Sequence, residues 1–234
     1  MNNWQTLERH SHAPYSGIPK ACIVESNSGK FYTGVRIENI SFPLTISSIQ
    51  AACCICLSEG ETPAVLYLKN SEYEQVNTWA AEFDMEVAVT DDISSIKSES
   101  LLKLSEKLDI EQKLKALLDQ AVIPNSDFPV SALLFTDKGF FEGVNVEISE
   151  WSQGLCAERI ALAKAVAAGF HTFSTIDIHT RSGEFSSPCG ACRQVLLEHL
   201  PYHTVRLHHA DGSLSEHLTV DLLPFSFKST SLNK

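Results

Sequence analysis

Hydrophobic and polar positions along the chain follow one plan twice. Two apolar stretches with strand character, residues 21–24 and 130–135, are each followed by a glycine-containing turn and a second strand-like segment. The second segments end in the related sequences 34–38 and 143–147. The copies are separated by about 110 residues, which is too long for a solenoid repeat. The pattern therefore predicts tandem duplication of a whole domain.

The region between the copies predicts a linker followed by helical structure. Residues 90–99 are rich in serine and aspartate and are interpreted as a linker. Leucines then recur at mostly helical spacing over residues 101–118, with an interruption near Asp109, which predicts a helix or helix pair opening the second domain. The predicted division is a first domain over 1–92, a linker and the start of a helix over 93–105, and a second domain over 106–234.

Two cysteine motifs stand where a strand-like segment gives way to a helical one. The first reads Cys-Ala-Glu-Arg at 156–159, and the second reads Pro-Cys-Gly-Ala-Cys-Arg-Gln at 188–194. The alanine-rich run after the first motif ends at Gly169, as a helix commonly does. Cys156 and Cys189 are thus expected in the cap or first turn of two helices. Unpaired backbone N–H groups and the helix dipole favour thiolate over thiol there.

These motifs supply ligands for one metal ion. Cys156, Cys189 and Cys192 offer three thiolates and leave a fourth position open, the pattern of a catalytic zinc site. Glu158 lies two residues after a ligand and is therefore not expected to bind the metal itself. A structural zinc site or buried thiols are the alternatives for the cysteines, although a closed site lacks a fourth candidate. For Glu158 the alternative is a carboxylate that only favours the helix dipole.

Composition narrows the class of protein. The chain of 234 residues is 44% hydrophobic and 20% charged, as in ordinary globular proteins. Its net charge of −11, without clustered Lys and Arg, argues against a nucleic-acid partner and suits a small neutral substrate. The longest apolar run, 49–57, is far shorter than the ~20 residues of a membrane span. With no secretory signal visible, a cytoplasmic location is expected.

The other cysteines and the histidines are given ordinary roles. The seven cysteines are clustered rather than spaced as a disulfide framework. Cys53, Cys54 and Cys56 crowd one apolar run and are interpreted as small hydrophobic residues. His208 and His209 are interpreted as surface or packing residues.

Five separate elements, in order, resemble the zinc-dependent cytidine deaminase family. The resemblance implies hydrolytic deamination of cytidine or deoxycytidine to uridine or deoxyuridine plus ammonia, a reaction of pyrimidine salvage, with one zinc ion in the second domain and proton transfer by Glu158. It implies two three-layer α/β/α domains, each with a mixed five-stranded sheet. The elements lie at 124–130, 145–147, 156–159, 188–194 and 222–227.

The resemblance also assigns roles around the metal. Asn145 and Glu147 match the pair that hydrogen-bonds the ribose hydroxyls, with turn-stabilising polar residues as the alternative. Phe128 and Phe227 match aromatic positions near the substrate ring, with core aromatics as the alternative. Ala157 matches a substrate-binding position.

Arg159 matches the residue that hydrogen-bonds a ligand sulfur in tetrameric members. Its positive charge would compensate a zinc site made negative by three thiolates. A surface ion pair on the helix is the alternative.

The first copy is expected to hold no metal. Aligning Glu38 with Glu147 puts Ser47 at the first ligand position and Ile49 at the position of Glu158. Aligning residues 75–76 with 194–195 puts Asn70 and Tyr73 at the other two ligand positions.

A homodimer of the tandem chain would rebuild the four-domain assembly of single-domain relatives. In that dimer Phe42, which aligns with Trp151, is expected to reach a catalytic site across the interface.

Three other functions remain open. Residues 148–151 depart from the family pattern, which favours a different nucleoside, base or analogue as substrate. Editing of polynucleotides is opposed by the acidic composition. A non-catalytic module that keeps the fold and the zinc is opposed by the intact Glu158.

Overall fold

The computed structural model describes residues 3–71, 73, 75–104 and 108–227 of the chain. Its first half contains α1 (Trp4–Glu8), β1 (Ala21–Ser26), β2 (Phe31–Val35), α2 (Ser48–Ser58), β3 (Pro63–Leu68), α3 (Val76–Phe83) and β4 (Glu86–Val89). Its second half contains α4 (Ile110–Leu117), β5 (Val130–Phe135), β6 (Phe140–Val144), α5 (Ala157–Ala167), β7 (Thr175–Thr180), α6 (Gly190–His199), β8 (Thr204–His208) and β9 (Leu214–Leu218). Short 3₁₀ turns occupy Phe42–Leu44, Leu118–Gln120 and Trp151–Gln153.

Both halves are α/β domains built on mixed sheets, which confirms the predicted fold class and the duplication. The strand orders are β2-β1-β3-β4 and β6-β5-β7-β8-β9. In each sheet the first hairpin is antiparallel, and β3–β4 and β7–β8 are the parallel pairs. The registers correspond, since Ala21 pairs with Val35 and Ser131 pairs with Val144.

The expectation of five strands in each sheet is wrong for the first domain, whose sheet has four within the described residues. After β8 a tight turn leads into β9, but after β4 the chain continues as a polar segment. That segment buries Ile93 and Ile96 and runs to β2, at the edge of the first sheet opposite β4. There Ser98 bridges to Phe31 and Lys103 bridges to Phe140, so the linker joins the outer strands of the two sheets.

The helix predicted from the leucine spacing begins later than expected. Residues 101–104 are extended, and residues 105–107 lie outside the described part of the chain. The helix starts at Ile110 because the side chain of Asp109 caps it, accepting from the backbone N–H of Gln112 at 3.0 Å. The predicted start of a helix within 93–105 is therefore wrong for residues 101–104.

The core is continuous across the two halves. Helices α2 and α5 pack against each other and against their own sheets, and α5 also contacts β2. Their residues join the strands of both sheets in one buried cluster. On the opposite face of the second sheet, Leu114 and Leu117 of α4 pack on Leu133, Phe140 and Val144. Alternate residues of β5 and β6 thus face α5 and α4, which gives the second domain its three layers.

Within the described part of the chain, no helix is long and apolar enough to cross a membrane.

Candidate metal centre

The cysteine motifs lie at helix starts, as the sequence predicts. Cys156 is the N-cap of α5 and Cys189 is the N-cap of α6. Cys192 lies in the first turn of α6, where its backbone N–H donates to the Cys189 sulfur at 3.4 Å. The two helices follow β6 and β7, so the unpaired N–H groups of both helix starts converge on one place.

The three sulfur atoms lie within 4.8 Å of one another. The Cys156 and Cys189 sulfurs are 3.8 Å apart. Sulfur atoms bound ~2.3 Å from a tetrahedral zinc ion are spaced by roughly 3.8 Å, so Cys156 and Cys189 already have the spacing of two zinc ligands and Cys192 lies close enough to be the third. In the described residues it is the one group of three or more metal-binding side chains.

Protons are shared unequally within this cluster. A hydrogen bond from Cys156, followed by one from Cys192, holds the pKa of Cys189 well below its ordinary value. A hydrogen bond with Cys189 raises the pKa of the Cys156 thiol, and hydrogen bonds with Cys156 and then Cys189 raise the pKa of the Cys192 thiol. A bound cation would displace the protons of these thiols, because sulfur binds metal as thiolate.

Glu158 is buried beside the sulfurs on the first turn of α5. Only 3% of it is exposed, and its Oε2 atom has no hydrogen-bond partner in the described part of the chain. Burial raises the pKa of this carboxyl to about 7. A buried carboxylate oxygen without a partner is costly and rare, so it marks a place where a further group is bound.

Asn145 and Glu147 hold the backbone around the site. Glu147 accepts from the N–H groups of Asn125 and Ser126 at 3.0 and 3.1 Å, and from the Ser126 hydroxyl. Asn145 accepts from the Val130 N–H at 2.8 Å and donates from Nδ2 to the carbonyl of Phe128 at 3.0 Å. The turn-stabilising alternative is thus present in the structure for both residues.

The predicted aromatic positions are exposed, which excludes the alternative that they are core residues. Phe128 is 40% exposed and Phe227 is 54% exposed. The Phe128 ring lies against Gly183, in the segment that leads to Cys189. The carbonyl of Phe227 accepts from Gln194 Nε2, on the first turns of α6, at 3.3 Å. Ala157 is fully buried at the start of α5.

Arg159 makes neither of the contacts expected for it. Its Nη2 donates to the carbonyl of Leu44 in the first domain at 3.0 Å. Its Nε is buried with no hydrogen-bond partner among the residues described. The difference arises because α5 packs against the first domain, so side chains on that face of the helix meet the other half of the chain.

Comparison with known proteins agrees with this geometry. Two family models, both described as the cytidine and deoxycytidylate deaminase zinc-binding region, match residues 105–206 and 5–68. A cytidine deaminase of Sporosarcina psychrophila is 35% identical over 134 residues, which cover 54% of this chain and 96% of the relative. The chain belongs to the cytidine deaminase family.

Other relatives match a similar share of the chain. A probable cytidine deaminase of Dictyostelium discoideum is 39% identical over 111 residues, 47% of this chain and 75% of the relative. The crystal structure of cytidine deaminase from Burkholderia pseudomallei is 38% identical in sequence over the aligned region. That region covers 50% of this chain and 94% of the other, and the TM-score is 0.47.

The first domain has the family fold with other residues at its metal-binding positions. Ser47 caps α2 as Cys156 caps α5, which confirms the predicted equivalence. Gln75 precedes α3 with a left-handed backbone and makes no side-chain cap bond, whereas the Cys189 sulfur accepts from Cys192. The alignment that puts Asn70 and Tyr73 at the other two ligand positions stays a prediction. Ser47 donates to Gln75 Oε1 at 2.8 Å.

Sequence reasoning did not pair Gln75 with Ser47, because the two residues are 28 positions apart and no local pattern joins them.

Proposed function

We propose that the chain is a zinc-dependent hydrolase that deaminates cytidine or deoxycytidine, in pyrimidine salvage. The observation that carries the proposal is the buried Glu158, whose Oε2 lacks a partner, beside three sulfurs spaced for one zinc ion. Membership of the cytidine deaminase family supports the reaction. The proposed ligands are Cys156, Cys189 and Cys192, with one zinc per chain.

A zinc ion bound there would supply an activated water for attack on the ring carbon that bears the amino group. Glu158 would take one proton from the water and deliver it to the ring nitrogen, and would then take the second proton from the hydroxyl added to the ring carbon and deliver it to the leaving ammonia. A pKa of about 7 suits this role, because the carboxyl gives and takes protons with little cost near neutral pH. Burial keeps bulk water away from the proton that it carries.

The surrounding residues are proposed to bind the nucleoside. Phe128 and Phe227 expose aromatic faces next to the segments that carry Cys189 and Cys192, and stacking contributes roughly 1–3 kcal/mol per base. Ala157 would line the floor of the site. Asn145 and Glu147 would bind the ribose hydroxyls. Their present contacts with residues 125–130 would then also position the edge of the pocket.

The decisive experiment follows the loss of cytidine absorbance with purified, zinc-replete protein. We expect turnover by the native chain and a loss of about 10²–10⁴-fold for Glu158→Gln with zinc still bound. Glu216→Gln, which changes an exposed carboxylate on β9 of the same domain, is the matched control and should retain full activity. Zinc-bound protein that turns over no aminated pyrimidine would favour a non-catalytic module instead.

Metal content and substrate range are tested separately. Elemental analysis should give one zinc per chain, and Cys192→Ser should lower that number. A ratio near two would contradict a metal-free first domain. The segment 148–151, which departs from the family pattern, is held against the first domain by a hydrogen bond from the Ser149 N–H to Glu82 at 2.9 Å. A panel of aminated pyrimidines and purines would show whether another nucleoside or analogue is preferred.

We further propose that the protein is cytoplasmic and that its domains span 1–92 and 106–234.

We also propose that the chain forms a homodimer. Phe42 and Trp151 occupy corresponding 3₁₀ turns and are 83% and 64% exposed, so each domain has one large apolar side chain on its surface there. Sedimentation should give twice the chain mass, and Phe42→Ala with Trp151→Ala should weaken the dimer. A fully active monomer would contradict this proposal.

A further inference from the structure

The segment between β7 and Cys189 enters the interior at Ser186, and nearer the cysteine Ser187 and Pro188 accept from Arg193 at 2.6 and 2.9 Å. Residues 181–185 are all exposed, whereas Ser186 is completely buried. Ser186 lies three residues before Cys189, so the chain between them spans at most about 11 Å. The buried Pro188 stiffens that span. Any displacement of Ser186 is therefore passed on to the sulfur of Cys189.

Three groups hold Ser186. Its backbone N–H donates to Nδ1 of His209 at 3.1 Å, within the protein interior. Its hydroxyl donates to the carbonyl of His208 at 2.8 Å and lies 2.8 Å from the hydroxyl of Thr180. We refer to the pair formed by Ser186 and His209 as the Ser186–His209 clasp. Among these contacts, only the bond to Nδ1 of His209 depends on a side chain outside the segment from β7 to α6.

His209 is itself fixed in one orientation and one tautomer. A backbone N–H can only donate, so Nδ1 carries a lone pair and the proton of the neutral ring lies on Nε2. Nε2 is 2.9 Å from the hydroxyl of Ser215 and donates to it. The Phe185 ring lies 4.4 Å away between centroids, and the backbone N–H of His209 donates to Ser213 at 2.8 Å. The expectation that His209 only packs or faces solvent misses this bonding.

The clasp occurs in the domain that has the cysteines. Its histidine comes from the β8–β9 connection, and the described part of the first domain has no strand after β4. The first domain also has a shorter segment between Leu68 and Gln75. The fifth strand, β9, and the longer loop between β7 and α6 thus both occur in the second domain, which also has the predicted metal ligands.

We propose that His209 is a positioning residue that holds Cys189 in place for zinc through Ser186. This inference rests on the proposed zinc site, because it concerns how tightly that site is held. His209 touches neither the sulfurs nor a substrate in this arrangement. Its effect should appear first in how long zinc stays bound, and only then in turnover.

The test measures the rate at which the zinc-loaded full chain gives up its metal to a coloured chelator. Loss of a partner that orients a metal ligand typically costs about 10–100-fold in metal affinity, so His209→Ala should release zinc roughly tenfold faster or more. His209→Asn keeps an acceptor near Nδ1 and should stay close to the native rate. His203→Ala removes a histidine that only contacts Pro201 near the surface, and it is the matched control.

Ser215→Ala gives a second measurement if His209→Ala does not fold. Without Ser215 the ring proton is free to move to Nδ1, which then cannot accept from Ser186, so release should again be faster than in the native chain. Release at the native rate from a folded His209→Ala, or equal acceleration by His209→Ala and His203→Ala, would overturn the proposal. A native chain that binds no zinc would refute the proposed function itself and is a distinguishable result.

Discussion

Replacement of Gly143 by alanine tests whether activity requires the close packing of the first turn of α5 on β6. Gly143 lies on β6, and a Cβ atom there would sit 2.1 Å from the carbonyl oxygen of Ala157 and 2.8 Å from the backbone nitrogen of Ala161. Ordinary contacts of carbon are about 3.5–4.0 Å, and backbone atoms cannot rotate away. The first turn of α5 would therefore have to move by roughly 1 Å.

The expected magnitude follows from what that turn carries. Inserting a methyl group into a close-packed contact costs about 1–3 kcal/mol, and a backbone clash belongs at the upper end. The same turn carries Cys156 and Glu158, and a misplacement of about 1 Å in a catalytic group costs on the order of 10²-fold in rate. Gly34 offers a matched control, since its Cβ would lie 2.2 Å from the carbonyl oxygen of Ser48.

Urea unfolding and cytidine turnover, measured on both variants, separate the two effects. We expect Gly34→Ala and Gly143→Ala to lower the free energy of unfolding by similar amounts. Only Gly143→Ala should lower kcat/KM by about 10²-fold, because α2 carries no proposed ligand. Equal losses of activity in the two variants, or native stability of Gly143→Ala, would refute the reasoning.

The remaining predictions concern charge and metal. Lys164 is buried at the domain interface, where burial lowers its pKa and Glu59 pairs with it at 2.5 Å. Glu59→Gln leaves the buried Lys164 charge unpaired and should lower the free energy of unfolding by about 2–3 kcal/mol, since Glu59 is partly exposed. Adding Lys164→Met removes that charge and should restore most of the loss. An unchanged urea midpoint in Glu59→Gln would contradict this prediction. In metal-free protein the raised pKa of Glu158 means that the folded state binds more protons between about pH 4.5 and 7, so this stabilising contribution is lost as pH rises through 7. From pH 5 to pH 8, the free energy of unfolding measured with urea should fall by up to roughly 3 kcal/mol more for the native chain than for Glu158→Gln. If the free energies of the two proteins change with pH in the same way, the raised pKa of Glu158 is contradicted. Chelation should lower the Tm of the native chain but leave that of Cys156→Ser unchanged, and equal shifts would place the metal elsewhere.

Local patterns in the sequence predict the parts of the fold that depend on near neighbours. The strand pairs, the helix starts at Cys156 and Cys189, and the equivalence of Ser47 with Cys156 were all predictable, because caps and periodicity act within a few residues. The prediction failed for residues 101–104, where leucine spacing favours a helix. Pairing of Lys103 with Phe140 overrides that propensity.

Side-chain partners across the two domains could not be predicted in this way. Arg159 bonds Leu44, and Tyr15 of the first domain donates to Glu198 of α6 at 2.7 Å. Each pair joins residues more than a hundred positions apart, and the sequence holds no local signal for such a contact. It arises only once α2 and α5 have packed together into one core.

The duplication, the zinc-binding residue types and their location at helix starts can be read from the amino-acid sequence, since each follows from short-range backbone physics. The folded structure is needed to show that the three sulfurs converge, that Glu158 is buried with one oxygen unpartnered among the described residues, and that Ser47 donates to Gln75 in the first domain. Those facts depend on how distant segments pack and exclude water, which fixes both distance and dielectric environment.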